Sequence, residues 1–142
     1  MQIKSKDFEH EGMIPVKFTC KGEDISPHLK WSEPPKNTKS YALACTDPDA
    51  PGGNWIHWYI CDIPADVTEI SQGGPVPGKE VTNDFGKTSY GGPCPPSGTH
   101  RYFFRIYALD IKQLEGIKKN NFMEKVKDHS IDSAELMGKF SK

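Results

Sequence analysis

Residues 47 to 58 read DPDAPGGNWIHW, and residues 91 to 102 read GGPCPPSGTHRY. Together they hold the side chains best suited to chemistry: Asp47, Asp49, His57, Cys94, His100 and Tyr102, set among prolines and glycines. An imidazole changes charge near neutral pH, a neighbouring carboxylate can fix its tautomer, and a phenol can donate a hydrogen bond. Such a set suits the recognition of an anion such as phosphate, with the aspartates orienting the rings and an amine on the ligand free to meet the carboxylates. Two histidines with one or two carboxylates also suit zinc or iron. Cys94 with His100, or an Asp–His pair, could serve a nucleophilic or hydrolytic enzyme, although Ser89 and Ser97 lack a nucleophile-elbow context. In the plainest reading the aspartates form Asx-turns and the histidines fill the core.

Positioning these groups at one place requires strands. SYALACT at 40 to 46, WIHWYIC at 55 to 61 and RYFFRIYALD at 101 to 110 are rich in aromatic and β-branched residues, and so is the early MIPVKFT. All four are expected to be strands. DISPHLKWSEPPKNTK carries too many prolines for a helix interior or a central strand and is expected to be largely loop or edge, with Leu29 and Trp31 covering one side of the core. Alternation places His57 on a face with Trp55, Tyr59 and Cys61, and His100 with Tyr102, Phe104 and Ile106. If 40 to 46 runs antiparallel to 55 to 61, and 100 to 109 runs in the same direction as 55 to 61, then Asp47, His57, His100 and Tyr102 meet at one sheet end. The loop at 84 to 100 would arch over that end, its prolines stiffening backbone N–H groups that point inward.

Helical spacing appears only late. Phe122, Val126 and His129 recur on one face after Asn121, a potential N-cap, and DSAELMGKF has capping-box spacing at Asp132 and Glu135 before Gly138. The fold class is therefore mainly β, with one or two short helices near the C-terminus. A length of 142 residues suits a single domain, 1 to 142. Eighteen Lys and Arg against 19 Asp and Glu provide no general field for nucleic acid or an anionic membrane surface. With no apolar leader and no run long enough to span a membrane, a cytoplasmic protein is expected. Its four cysteines form no CxxC pair, so they are expected to be reduced, Cys45 and Cys61 as buried hydrophobes within strands.

DPDAP, the W-x-H-W that follows it and GGPCPPSGTHRY resemble the phosphatidylethanolamine-binding protein family, in particular its short prokaryotic Raf-kinase-inhibitor-like branch. The similarity extends from about residue 5 through ISPHLKW to the closing ELMGKF. It implies an antiparallel β-sheet or sandwich fold with a small pocket for phosphate-like anions, phosphorylated small molecules or phospholipid head groups. Carried over by motif, the ligand-binding residues would be Asp47, Asp49, His57, Gly92, Pro93, His100 and Tyr102. It implies binding without turnover and brings no cofactor or metal. An alternative implied by the family is a protein-binding inhibitor of a protease or kinase, and homodimers are known among relatives of this branch. The chain lacks the additional C-terminal segment of eukaryotic members, which weighs against their kinase-regulating roles.

Overall fold

The computed structural model describes all 142 residues as two antiparallel sheets and one helix. The first sheet has three short strands in the order β1 (Gln2–Lys4), β2 (Leu29–Ser32) and β5 (Glu69–Ile70). The second, in the order β6-β4-β3-β7-β8, comprises β6 (Lys79–Val81), β4 (Trp55–Pro64), β3 (Ser40–Asp47), β7 (Thr99–Leu109) and β8 (Ser130–Ser141). Because β3 is antiparallel to both β4 and β7, those two strands run in the same direction on either side of it. The ends of β3, β4 and β7 that carry Asp47, His57 and His100 therefore coincide.

Alternation along β3 and β7 sends their side chains into two separate cores. Tyr41, Leu43 and Cys45 join Tyr102, Phe104 and Ile106 between the sheets, where Leu29, Trp31 and Ile70 of the small sheet close the sandwich. The opposite face sends Ala42, Ala44, Tyr107 and Leu109 against α1 (Phe122–His129), whose Phe122 and Val126 are fully buried. Phe122 stacks on Tyr59 with ring centroids 3.9 Å apart. The helix thus forms a third layer, and the apolar spacing that predicts it is also the face it buries.

Four local expectations change. The segment 132 to 140 is not a second helix but most of β8, paired with β7 from Thr99↔Ser141 to Leu109↔Ser130. Its capping-box spacing is overridden by a complete ladder to a neighbouring strand and by burial of Leu136, Met137 and Phe140. MIPVKFT is not a strand: Met13 makes a single bridge to Lys139, and Val16–Phe18 form one 3-10 turn behind Pro15. The proline-rich segment is largely loop as expected, but Leu29–Ser32 form β2, which is central in its sheet; these four residues fit between Pro27 and Pro34. Asn121 precedes α1 as expected, but its side chain accepts from the Lys118 N–H and donates to the Gly116 carbonyl instead of capping the helix.

Edge strand β8 is partly covered by the N-terminal segment. Lys139 exchanges backbone hydrogen bonds with Gly12 and Ile14, while Met137 accepts from Glu11 and donates to the His10 imidazole. The close approach is possible because residue 138 is glycine: a Cβ there would lie 2.5 Å from Ile14 Cγ1 and 2.7 Å from Phe8 Cε2. Gly138→Ala should therefore lower stability by about 1–3 kcal/mol, the usual cost of overpacking. A denaturation midpoint unchanged from the wild type would show that Phe8 and Ile14 yield freely.

Candidate functional site

At the shared strand end lies a cavity of about 340 Å³ whose walls include Asp47, His57, His100, Tyr102, Trp55 and Phe85. Four of the sequence-derived site residues are thus brought together: Asp47, His57, His100 and Tyr102. Regular alternation along β4 would not bring His57 here. In the β3–β4 register Cys45 faces Trp58 while Thr46 faces Ile56, leaving His57 as the extra residue of a β-bulge. Tyr59 and Cys61 belong to the helix-side core, whereas His57 turns to the sandwich side and meets Tyr102 edge-on, ring centroids 5.2 Å apart. The expected common face of His57, Tyr59 and Cys61 is therefore broken by the bulge.

Each imidazole is held through Nδ1. His57 Nδ1 lies 2.7 Å from the Gly91 carbonyl, and a carbonyl can only accept, so this nitrogen carries the proton. His100 Nδ1 lies 2.7 Å from Asp47 Oδ2, and the carboxylate holds it in the same donor role. The Gly92 carbonyl also lies near the His57 ring, but neither Nε2 makes a hydrogen bond of good geometry within the protein. In the neutral rings both Nε2 atoms are consequently lone-pair acceptors. Burial lowers the pKa of His57, with the Gly91 carbonyl and Asp47 opposing that effect.

Asp47 is 3 % exposed, and its other oxygen accepts the Asp49 N–H at 2.8 Å. Tyr102 is fully buried and its hydroxyl has no hydrogen-bond partner; the Cys94 backbone is close without reaching bonding geometry. Burial, reinforced by the Asp47 charge, raises its pKa well above the usual tyrosine value. Such an orphaned polar group costs about 1–3 kcal/mol in a protein interior. It is the kind of residue found where a site contributes to recognition instead of stability.

Asp49, Gly92 and Pro93 take other parts. The Asp49 carboxylate binds Arg101 through its backbone N–H, Nε and Nη2 at 2.8–2.9 Å, so it orients the arginine beside His100 and not an imidazole. This bidentate bond, with the backbone donor and charge of Arg101, holds the Asp49 carboxyl down at about 2. Gly92 donates its N–H to Asp24 Oδ1 at 2.8 Å, and the Pro93 carbonyl accepts from Cys20 N–H at 3.1 Å. Gly91 N–H goes to the His57 carbonyl. The N–H groups of Gly91 and Gly92 are thus used to fasten the loop and do not point inward as free donors. A Cβ on Gly92 would collide with the Phe18 carbonyl and the Asp24 carboxylate, which is why this crossing needs glycine.

Cysteine pairing also departs from expectation: Cys20 and Cys94 form a disulfide across 74 residues, whereas Cys45 and Cys61 are free and buried. Sequence spacing could not reveal the pair because the two loops are brought together by the fold. Asp24, Tyr90 and Phe85 were also missed. Tyr90 donates its hydroxyl to the Phe18 carbonyl at 2.7 Å, and Phe85 packs edge-on against both His57 and Trp55. Only Phe85 had a local signal, an aromatic residue preceding the turn glycine Gly86, whose φ is 75°. In an Arg101→Gln variant the Asp49 carboxyl should titrate upward from about 2 toward its ordinary value, followed by carboxyl NMR. An unmoved titration would show that Arg101 does not set it.

Comparison with known proteins gives the same frame. The family model for phosphatidylethanolamine-binding protein matches residues 4–141. A UPF0098 protein of Methanothermobacter thermautotrophicus is 45 % identical, with 97 % of each chain covered. UPF0098 protein YbhB of Escherichia coli is 42 % identical over 99 % of this chain and 100 % of its own. Among solved structures, Escherichia coli YbcL superposes with a TM-score of 0.93 at 29 % identity, covering 99 % of this chain and 98 % of its own. A homologue from Chlamydia trachomatis superposes with a TM-score of 0.92 at 37 % identity, covering 99 % and 97 %. With a family model spanning nearly the whole sequence, and relatives aligned end to end above 35 % identity, the chain belongs to the phosphatidylethanolamine-binding protein family.

Proposed function

We propose that the protein is a non-enzymatic binder of phosphate-like anions, including phosphorylated small molecules and phospholipid head groups, with Asp47, His57, His100 and Tyr102 forming the recognition site. The observation that carries this reading is the pair of Nδ1-anchored imidazoles opening onto one cavity beside a buried, unpartnered tyrosine hydroxyl. Asp49, Gly92 and Pro93 support it indirectly, through Arg101 and through the loop that fixes His57. Family membership supports a small binding protein. The thiol-nucleophile alternative loses ground because Cys94 is paired with Cys20. No three His, Cys, Asp or Glu side chains converge in a metal-holding group.

The tautomers specify the chemistry of binding. A neutral ring offers a lone pair at Nε2, which repels a fully ionised oxygen and attracts an N–H or O–H donor. An anion therefore binds by bringing its own proton, as hydrogen phosphate does, or by drawing one onto an imidazole. A zwitterionic head group can satisfy both demands, its ammonium meeting the Asp47 side and its phosphate meeting a protonated ring. The route that charges an imidazole takes up a proton, so affinity through it falls as pH rises, whereas hydrogen phosphate keeps its own proton up to pH 8 and meets a neutral ring without that dependence.

Three measurements test this. Phosphate affinity, followed by calorimetry from pH 5.5 to 8, should decline by up to roughly tenfold per pH unit for each proton taken up. A flat profile would show that no imidazole is charged on binding and that the ligand supplies the proton itself. His100→Ala should remove most of the affinity, since a charge-assisted hydrogen bond to phosphate contributes about 1.5–3 kcal/mol; equal affinity in mutant and wild type takes His100 out of the site. Tyr102→Phe should raise the melting temperature, by removing the orphaned hydroxyl, and weaken phosphate binding. A variant that binds as tightly as the wild type assigns Tyr102 to the core alone.

A further inference from the structure

The disulfide occupies an unusual place for a purely structural bridge. Cys20 and Cys94 are both solvent-exposed, and Cys94 borders the cavity while Cys20 does not. The two loops it joins are already fastened without it, by the bonds from Gly92 N–H to Asp24, from Cys20 N–H to Pro93 and from Tyr90 to Phe18. Opening the bridge therefore leaves the pocket wall in position. The same cavity contains the Nε2 lone pairs of His57 and His100, which can accept a proton from a thiol.

We infer that the cavity is a thiol–disulfide exchange site, in which a low-molecular-weight thiol enters from the pocket and forms a mixed disulfide at Cys94. The incoming thiol gives its proton to an imidazole Nε2 and becomes a thiolate. That thiolate attacks Cys94 Sγ; a new sulfur–sulfur bond forms as the Cys20–Cys94 bond breaks, and the electron pair leaves on Cys20 Sγ. Water protonates or solvates the exposed Cys20 thiolate, and no external oxidant or reductant is consumed. Because the loops stay fastened, Cys20 remains opposite the mixed disulfide and can expel the bound thiol in the reverse step. Exposed disulfides are the exchangeable ones, whereas Cys45 and Cys61, each 0 % exposed, have no access to the exchange.

The assignment does not need a bound anion: it uses the same two imidazoles as proton acceptors and requires that Cys94, and not Cys20, border the cavity. Oxidised protein is incubated at pH 7 with 2-mercaptoethanol in the presence of iodoacetamide, which traps the released cysteine, and the adducts are located by peptide mass spectrometry. The same reaction in urea, where the cavity no longer exists, measures the intrinsic preference of the two sulfurs. The folded protein should carry the mercaptoethanol adduct on Cys94 and the alkyl group on Cys20, in at least roughly tenfold excess over the opposite pattern, and urea should abolish that bias. An adduct mainly on Cys20, equal labelling in the folded protein, or a bridge that opens only in urea would each overturn the assignment.

Discussion

A carboxylate taken almost wholly out of water at the end of the central strand is the most demanding feature of this molecule. Asp47, so placed, needs hydrogen-bond donors, because burying an unpaired polar group costs more than packing returns. It has two, the His100 ring and the Asp49 backbone, and each of them depends on other parts of the fold. His100 is at the right height only because β7 pairs with β3 in a register that sets Thr46 opposite Phe103. The Asp49 N–H is aimed by the turn that follows, whose side chain is in turn held by Arg101. The strand register, the acidic turn and the arginine thus all serve one buried carboxylate.

His57 reaches the same place by a different physical route. A regular strand would have sent it toward the helix-side core with Tyr59 and Cys61. The bulge turns it around, and the Gly91 carbonyl then fixes its orientation. That carbonyl is available because the loop is pinned from behind by Asp24 and the Phe18–Cys20 segment, where only a glycine allows the backbones to meet. The candidate site is accordingly built from both sheet geometry and loop-on-loop packing.

What could be read in advance follows this division. Aromatic and β-branched runs located β3, β4 and β7, and alternation along β7 correctly separated Tyr102, Phe104 and Ile106 from Arg101, Phe103 and Tyr107, because a fully paired strand enforces its period. The helix at 122 to 129 was legible from its apolar face. The bulge was not, since one extra residue leaves no trace in composition or local spacing. That Asp49 holds Arg101 and not an imidazole was not legible, because a carboxylate in an acidic turn looks equally able to reach either, and only the register decides. The optional second helix is absent for the opposite reason: DSAEL reads as helical locally, but the β7 edge offers its backbone a ladder and Leu136 a place in the core. The disulfide was judged from compartment instead of geometry, which no sequence of separated cysteines reveals.

The partial covering of β8 bears on self-association. A twelve-residue edge strand would normally offer a row of unpaired amides on which another chain could grow a sheet. Here Met137 and Lys139 are already occupied by the N-terminal segment, and the Ser133 N–H is taken by the Asp132 carboxylate. Between them, Glu135 carries a charge paired with Arg105. The opposite edge, β6, is three residues long, and the outer strands of the small sheet have three and two. No edge presents a long, flat, neutral template, so the chain is protected against amyloid-like growth at the same border where its N-terminus completes the fold.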